Sequence, residues 1–188
     1  MTQEDMDYGV LARDGAQPVL RMERRLHHPA ATVWSALTEE EQLAAWFPTT
    51  IEGDRKAGAP LTFGFREVEM PDMEGRMLTF DPPTVMELNW GGDIVRFELT
   101  ADGDGSILTL IVTFAELGKA ARDAAGWHVC LQQLDYAVDG DALPWLPADR
   151  WKEVHPGYVE RFGPAASTMG PPEEWERVHG DPGGGSLP

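Results

Sequence analysis

Residues 120–138 read AARDAAGWHVCLQQLDYAV, and this stretch decides the fold. Its large apolar residues recur at spacings of four, three and four, at Trp127, Leu131, Leu134 and Val138. That spacing places them along one side of an α-helix. Gly140 follows directly, and glycine is common where helices end. We predict a long helix over about Ala120 to Val138 whose apolar stripe packs against the rest of the domain.

Upstream of this helix, the apolar pattern has the period of β-strands. Apolar and polar residues alternate over 61–66, 86–90, 95–100 and 108–114, and a mixed alternation runs over 19–26. Gly91-Gly92 and the run beginning at Asp102 are hairpin-turn signals between these segments. Because the connections are short, the pattern favours an antiparallel meander.

Two short helices are expected between the first strand and the meander. Pro29 stands where a first helical residue is tolerated, and the apolar residues after it form one helical face. Thr38 with Glu41 three residues later matches a capping box, which would open a second helix that ends before Pro48. We therefore predict an α+β fold in which an antiparallel sheet wraps around the long helix.

The two ends of the chain differ from this central domain, which we place at 16–140. Residues 1–15 are polar and are expected to form a flexible arm. Residues 141–162 form an aromatic-rich extension that we expect to pack on the domain, where it could cover a cavity mouth, contact another subunit or simply cover the core. Residues 163–188 are rich in proline and glycine, which predicts a disordered tail.

The composition restricts the partners and the compartment. Of the 188 residues, 42% are apolar, and 15 basic against 32 acidic side chains give a formal charge of −17. Such a surface repels phosphate backbones, so we expect no nucleic acid partner. The sequence contains no long apolar run or basic-then-apolar leader, so we expect no membrane insertion and a cytoplasmic location. The single cysteine, Cys130, excludes an intrachain disulfide.

No pattern nominates a catalytic residue, a metal ligand set or a cofactor. There is no Gly-x-Ser-x-Gly turn and no phosphate-binding glycine loop. Cys130 and His128 lie on the long helix, where Cys130 is expected to be a small buried residue and His128 either a satisfied histidine or a polar group at a cavity edge. His27 and His28 are adjacent at a strand end and would point to opposite faces. The chain is therefore more simply interpreted as a binding protein than as an enzyme.

The order of these elements resembles a known family. The residues that carry the likeness are 29–38 (PAATVWSALT), Trp46-Phe47, Asp81-Pro82-Pro83 leading to Trp90, and Gly126-Trp127. Together they are similar to the activator-of-Hsp90-ATPase-like branch of the START/Bet v 1-like (SRPBCC) superfamily, over about residues 17–140. The resemblance implies a helix-grip fold with a cavity between the sheet and the last helix that often holds apolar ligands. Because proteins of this fold have many activities, it does not imply a reaction.

A cavity of this kind leads to a binding hypothesis with two alternatives. We expect a small hydrophobic or aromatic molecule to bind among large apolar side chains, at Trp46, Phe63, Phe65, Met77, Met86, Trp90, Phe97, Trp127, Cys130, Leu131 and Leu134. The alternatives are a chaperone-linked partner-binding module and a cavity enzyme such as a cyclase or hydrolase. The sequence is also compatible with a homodimer. A buried ionisable residue in the pocket with a shifted pKa would favour the enzyme.

Overall fold

A computed structural model describes residues 8–66 and 69–180. In this part of the chain, seven strands form one antiparallel sheet in the order β1-β2-β7-β6-β5-β4-β3. Their bounds are β1 Val10–Asp14, β2 Gln17–Leu26, β3 Pro60–Phe63, β4 Met73–Asp81, β5 Val85–Trp90, β6 Asp93–Asp102 and β7 Gly105–Thr113. The meander predicted from the apolar alternation is confirmed.

Five α-helices accompany the sheet in the described residues. They are α1 Ala30–Thr38, α2 Glu40–Leu43, α3 Ala120–Asp139, α4 Pro147–Phe162 and α5 Glu173–His179. Short 3-10 turns precede α3 at Leu117–Lys119 and follow α4 at Pro164–Ala166. The long helix and the two short helices after the first predicted strand are therefore confirmed.

Hairpin geometry sets the register of the sheet. Gly91 and Gly92 both have positive φ, at 58° and 92°, between β5 and β6. Glycine adopts such angles without a steric penalty, and two of them in succession match the right-handed twist of paired strands. Trp90 thus pairs with Asp93 across the turn. The hairpin places both residues at the same end of the sheet, next to the beginning of α3.

The core lies between the sheet and α3. Alternate residues of β6 and β7 point inward, so that Val95, Phe97, Leu108 and Leu110 are fully buried. From the other side, Trp127, Leu131 and Leu134 of α3 are buried as well. Packing of this kind, a concave sheet around one helix, is the helix-grip architecture, and the sheet is not closed.

The structure corrects the expected ends of the chain. Residues 10–14 are not part of a loose arm, because β1 pairs with β2 from Val10↔Arg21 to Asp14↔Gln17. Residues 164–166 and 173–179 are helical, whereas most of 163–188 was expected to be irregular or disordered. Residues 1–7 and 181–188, to which the expectation also applies, lie outside the described residues.

The expected capping box is also wrong. Thr38 ends α1, and its hydroxyl donates a hydrogen bond to the carbonyl of Trp34 at 2.8 Å. Glu39 occupies the N-cap of α2 and makes no side-chain capping bond. A single residue in extended conformation therefore separates the two helices.

Among residues 8–66 and 69–180, no helix has the length and apolar character needed to cross a bilayer.

Candidate functional site

An open groove lies at one end of the helix-grip core. It has a volume of about 460 Å³ and a narrower compartment of about 190 Å³ at one side. Its walls come from the residues after α2, the residues after β3, the end of β5, α3 as far as Gln133, the beginning of α4 and the beginning of α5. A pocket of this size is within the range that holds small ligands.

One face of α3 forms the floor of the groove. Arg122, Gly126, Cys130 and Gln133 follow one another at spacings of four, four and three, and all four line it. This face is adjacent to the stripe of Trp127, Leu131 and Leu134 that packs in the core. One face of the helix therefore packs against the sheet, and the adjacent face borders the open space of the groove.

Aromatic side chains form much of the wall. Trp46 and Phe65 contribute from the side of the sheet, and Trp90 contributes from the end of β5. Trp151 of α4 and Trp175 of α5 lie opposite, with their ring centroids 5.0 Å apart. Trp127 borders the narrow compartment, 5.5 Å from Trp90 between centroids. Flat apolar surfaces from both sides favour an apolar or aromatic occupant.

Four charged residues at the groove form two ion pairs, and Arg66, which also lines the groove, donates to the carbonyl of Phe47 at 2.9 Å. Lys119 Nζ lies 2.8 Å from the Asp93 carboxylate, and Arg122 Nε donates to Asp123 Oδ1 at 2.6 Å. Asp93 also accepts a hydrogen bond from the backbone N–H of Ala115 at 2.9 Å. Because each carboxylate already has a cationic partner, these four charges cancel and leave the groove mainly apolar in character.

Asp123 is the ionisable residue in the groove with a shifted pKa. Burial raises the pKa of its carboxyl, and the hydrogen bond and charge of Arg122 act in the opposite direction. Nothing in the apolar periodicity singled out Asp123. Its place on α3, one turn before Trp127, was the available signal.

The eleven predicted site residues fall into two groups. Those that line the groove or its narrow compartment are Trp46, Phe65, Trp90, Trp127 and Cys130. Those that lie in the packed core and line neither are Phe63, Met77, Met86, Phe97, Leu131 and Leu134. The second group is almost inaccessible to solvent because its side chains fill the space between sheet and helix. The open space borders α3 from Arg122 to Gln133 and does not extend along its whole length.

Gly126 lies inside α3, but close packing against another backbone does not explain the glycine at this position. A glycine inside a helix often marks close approach of another backbone, but a Cβ placed on Gly126 would meet no atom within 4 Å outside its own helix. The residue instead faces the groove. Its missing side chain leaves room in the floor.

His128 lies outside the groove, in a buried polar cluster on the side of α4. Its Nδ1 is 3.0 Å from the hydroxyl of Tyr158, which accepts a hydrogen bond from the backbone N–H of Gly9 at 3.1 Å. Burial, with Arg24 and Arg150 nearby, lowers the pKa of His128 to about 3. Burial also raises the pKa of Tyr158. His128 is thus a neutral residue that joins α3, α4 and the N-terminal strand.

No group of three or more His, Cys, Asp or Glu side chains that could hold a metal ion occurs among the described residues.

Comparison with known proteins agrees with the architecture. Residues 27–139 match the family described as activator of Hsp90 ATPase homolog 1-like protein. No curated protein matches the chain significantly. The matched segment ends at the last residue of α3, so α4, α5 and their two groove tryptophans lie beyond it.

Several solved structures share the fold. A conserved protein of unknown function from Enterococcus faecalis is 18% identical with a TM-score of 0.71, over 85% of this chain and 92% of that one. A protein from Bordetella parapertussis is 27% identical with a TM-score of 0.66, over 83% and 92%. CalU16 from Micromonospora echinospora is 20% identical with a TM-score of 0.65, over 82% and 96%.

Proposed function

Because the chain belongs to the activator of Hsp90 ATPase homolog 1-like family, we propose that it binds a small hydrophobic or aromatic molecule in the groove beside the first part of α3. The observation that carries this proposal is the aromatic lining, in which Trp46, Phe65, Trp90, Trp151 and Trp175 surround about 460 Å³. Binding sites for small molecules are mostly apolar clefts with few polar groups.

The paired charges support an uncharged ligand. Lys119 with Asp93 and Arg122 with Asp123 neutralise each other at the polar side of the groove. An ion that entered at this side of the groove would have to lose its hydration and compete with one of these pairs, which disfavours a charged ligand there. An apolar body removed from water gains roughly 25 cal/mol for each Å² that is buried.

The first test uses the neutral fluorophore N-phenyl-1-naphthylamine, whose emission rises in apolar surroundings. The natural chain should bind it saturably and gain thermal stability with increasing probe concentration. Gly126→Met should weaken binding by tenfold or more, because the new side chain extends into the space above the helix floor.

Two controls separate occupation of the groove from general damage. Gly126→Ala adds one methyl group and should keep most of the affinity. Ala142→Met adds the same side chain at an exposed position after α3 and should bind as the natural chain does. Absence of saturable binding by the natural chain, or unchanged affinity in Gly126→Met, would refute the proposal.

The enzyme alternative rests on one observation, the buried Asp123 carboxyl at the groove. A carboxyl whose pKa is raised by burial is suited to proton transfer. Hydrolysis of 4-nitrophenyl acetate by the natural chain and by Asp123→Asn would test it, with exposed Asp141→Asn as the control. Equal rates in all three proteins would remove Asp123 from consideration as a catalytic group.

A further inference from the structure

The wall of the groove opposite the sheet is built from residues beyond the segment that matches the family. Trp151 and Trp175 are the large side chains of this wall. They belong to different helices with different attachments to the domain. How firmly each helix is attached determines which of the two tryptophans can move when a ligand binds.

The helix that carries Trp151 is firmly attached. Val154 and Tyr158 of α4 are buried in the core, and Trp151 Nε1 donates a hydrogen bond to the carbonyl of Arg122 at 3.2 Å. Opening this wall would expose two core side chains to water. Trp151 is therefore a fixed part of the groove.

The segment that leads into the helix carrying Trp175 is attached to the beginning of α3 by two hydrogen bonds. The backbone N–H of Met169 donates to the carbonyl of Gly118 at 3.0 Å, and Arg122 Nη1 donates to the carbonyl of Gly170 at 3.0 Å. A Cβ on Gly118 would lie 2.2 Å from Thr168 Oγ1, so this glycine permits the close contact.

Beyond Gly170, the attachment becomes weak. The seven residues of α5 include no buried side chain, and the helix has no side-chain N-cap. A helix of this length is not stable alone in water, and segments with few buried contacts open at low free-energy cost. Its ring contact with the groove wall is that of half-buried Trp175 on Trp151.

Resting on the proposed function, we propose that α5 is a movable cover and that Trp175 on it is a ligand-contacting, specificity-determining residue that selects an aromatic molecule over an aliphatic one. When an aromatic ring enters, the indole of Trp175 closes on it from the side opposite Trp90. Paired aromatic rings gain energy beyond their buried area, whereas an aliphatic chain gains only from the area. The cover thereby gives ring-bearing molecules an advantage at the same groove.

The experiment separates ring selectivity from general stability. N-phenyl-1-naphthylamine is titrated into the full chain and displaced with 1-decanol as the aliphatic competitor. Trp175→Leu should weaken the naphthylamine by at least fivefold while the 1-decanol affinity changes by less than twofold. Trp175→Phe should restore most of the loss. Trp145→Leu, which removes a half-buried tryptophan that packs on Tyr136 away from the groove, should alter neither affinity.

A second measurement tests the movement directly. Amides of residues 173–179 should exchange with deuterium much faster than those of α4 in the free chain, and should slow when the naphthylamine is bound. Equal protection of α4 and α5 without probe, or the same loss of both affinities in Trp175→Leu, would overturn the cover proposal. If Gly126→Met abolishes binding but Trp175→Leu does not weaken it, the groove function stands and the cover proposal fails. If the natural chain binds no naphthylamine, both fail.

Discussion

At the scale of single residues, Trp46 and Trp90 have the same side chain but differ in whether the indole N–H makes a hydrogen bond. The indole N–H of Trp46 donates to the carbonyl of Ala36 at 2.8 Å in the buried core. Ala36 belongs to the last turn of α1, where carbonyl groups lack partners inside the helix. The indole N–H of Trp90 is buried without a partner in the described part of the chain.

This contrast predicts different costs for the same substitution. Trp46→Phe should lower the free energy of unfolding by about 1–3 kcal/mol more than Trp90→Phe, because only the first leaves a buried carbonyl unsatisfied. Both changes remove the same volume, but Trp46 is fully buried and Trp90 only partly buried, so loss of packing adds to loss of the hydrogen bond at Trp46. Urea unfolding at matched m-values measures it. Equal losses in the two variants would contradict the assigned role of Trp46.

Two glycines predict stability changes of opposite sign. Gly126→Ala should raise the free energy of unfolding by about 1 kcal/mol, since alanine favours a helix interior and its Cβ meets open space. Gly75→Ala should lower it, because a Cβ there would lie 2.2 Å from the carbonyl oxygen of Asn89. Thermal and urea unfolding of both variants test this. A loss of stability in Gly126→Ala would mean that the groove floor is closed.

Residue type alone separates the core from the groove poorly. Phe63 and Phe65 have the same side chain and the same place in the alternation, yet Phe63 is fully buried and Phe65 lines the groove. β3 ends at Phe63, and Phe65 lies just beyond the strand. Which apolar residue borders open space depends on where the elements end, and the alternation pattern does not contain that information.

At the scale of elements, α4 holds the start of the N-terminal strand through Tyr158, and the Tyr8 hydroxyl adds a contact to the Val154 carbonyl at 3.4 Å. The Tyr158 oxygen accepts from Gly9 N–H and lies 3.0 Å from His128 Nδ1, so that it joins α4, α3 and the start of β1. Tyr8 packs on the same ring with centroids 4.7 Å apart. The first strand is therefore fastened by a residue about 150 positions away.

Removal of that hydroxyl should loosen β1 more than the rest of the sheet. Tyr158→Phe is expected to cost about 2 kcal/mol, because buried polar groups of Gly9 and His128 lose their partner. Hydrogen exchange over 9–14 should accelerate more than exchange in β6 and β7. Tyr136→Phe is the matched control, since that hydroxyl makes no hydrogen bond within the described residues, and it should change stability by less than about 0.5 kcal/mol. Uniform acceleration across the sheet would oppose the assigned role.

The elements that sequence reasoning missed had weak local signals. Val10 to Asp14 precedes Gly15, and Asp-Gly is a hairpin signal that was available. In α4, Trp151, Val154 and Tyr158 have helical spacing. Pro147, Pro156 and Gly157 are residues that disfavour helices, so the segment did not read as one. The long helix and the meander were accessible because their periodicity extends over many residues. The cover helix has no apolar stripe and depends on contacts made elsewhere.

At the scale of the whole molecule, the fold could be predicted because patterning and the family resemblance agree. The groove could not be predicted, because it is enclosed by α4 and α5, which lie after the residues that match the family. A site of this kind can be predicted only if it is known where the added segment packs on the shared core. In this chain, the residues after α4 pack against Gly118 and Arg122, near the beginning of α3.

The pH dependence of stability follows from the buried cluster that joins these parts. His128 is neutral in the folded chain, with a pKa lowered to about 3, whereas the unfolded chain takes up a proton near pH 6.5. The unfolded state therefore binds more protons between these values, and the stability from this group is lost as pH falls through that window. At the alkaline side, the raised pKa of Tyr158 means that the unfolded chain ionises first, so stability falls as pH rises above about 10.

The acid branch can be assigned to His128 by substitution. Between pH 7 and pH 5 the histidine should account for about 2 kcal/mol of lost stability, at up to 1.4 kcal/mol for each pH unit. His128→Gln keeps a group that can bond with Tyr158 but removes the titration, so its stability should fall less over this range. His27→Gln, at an exposed position, should follow the natural chain. Urea unfolding at half-unit steps between pH 4.5 and pH 7.5 measures the slopes, and identical slopes in His128→Gln and the natural chain would show that His128 takes up its proton in the folded state.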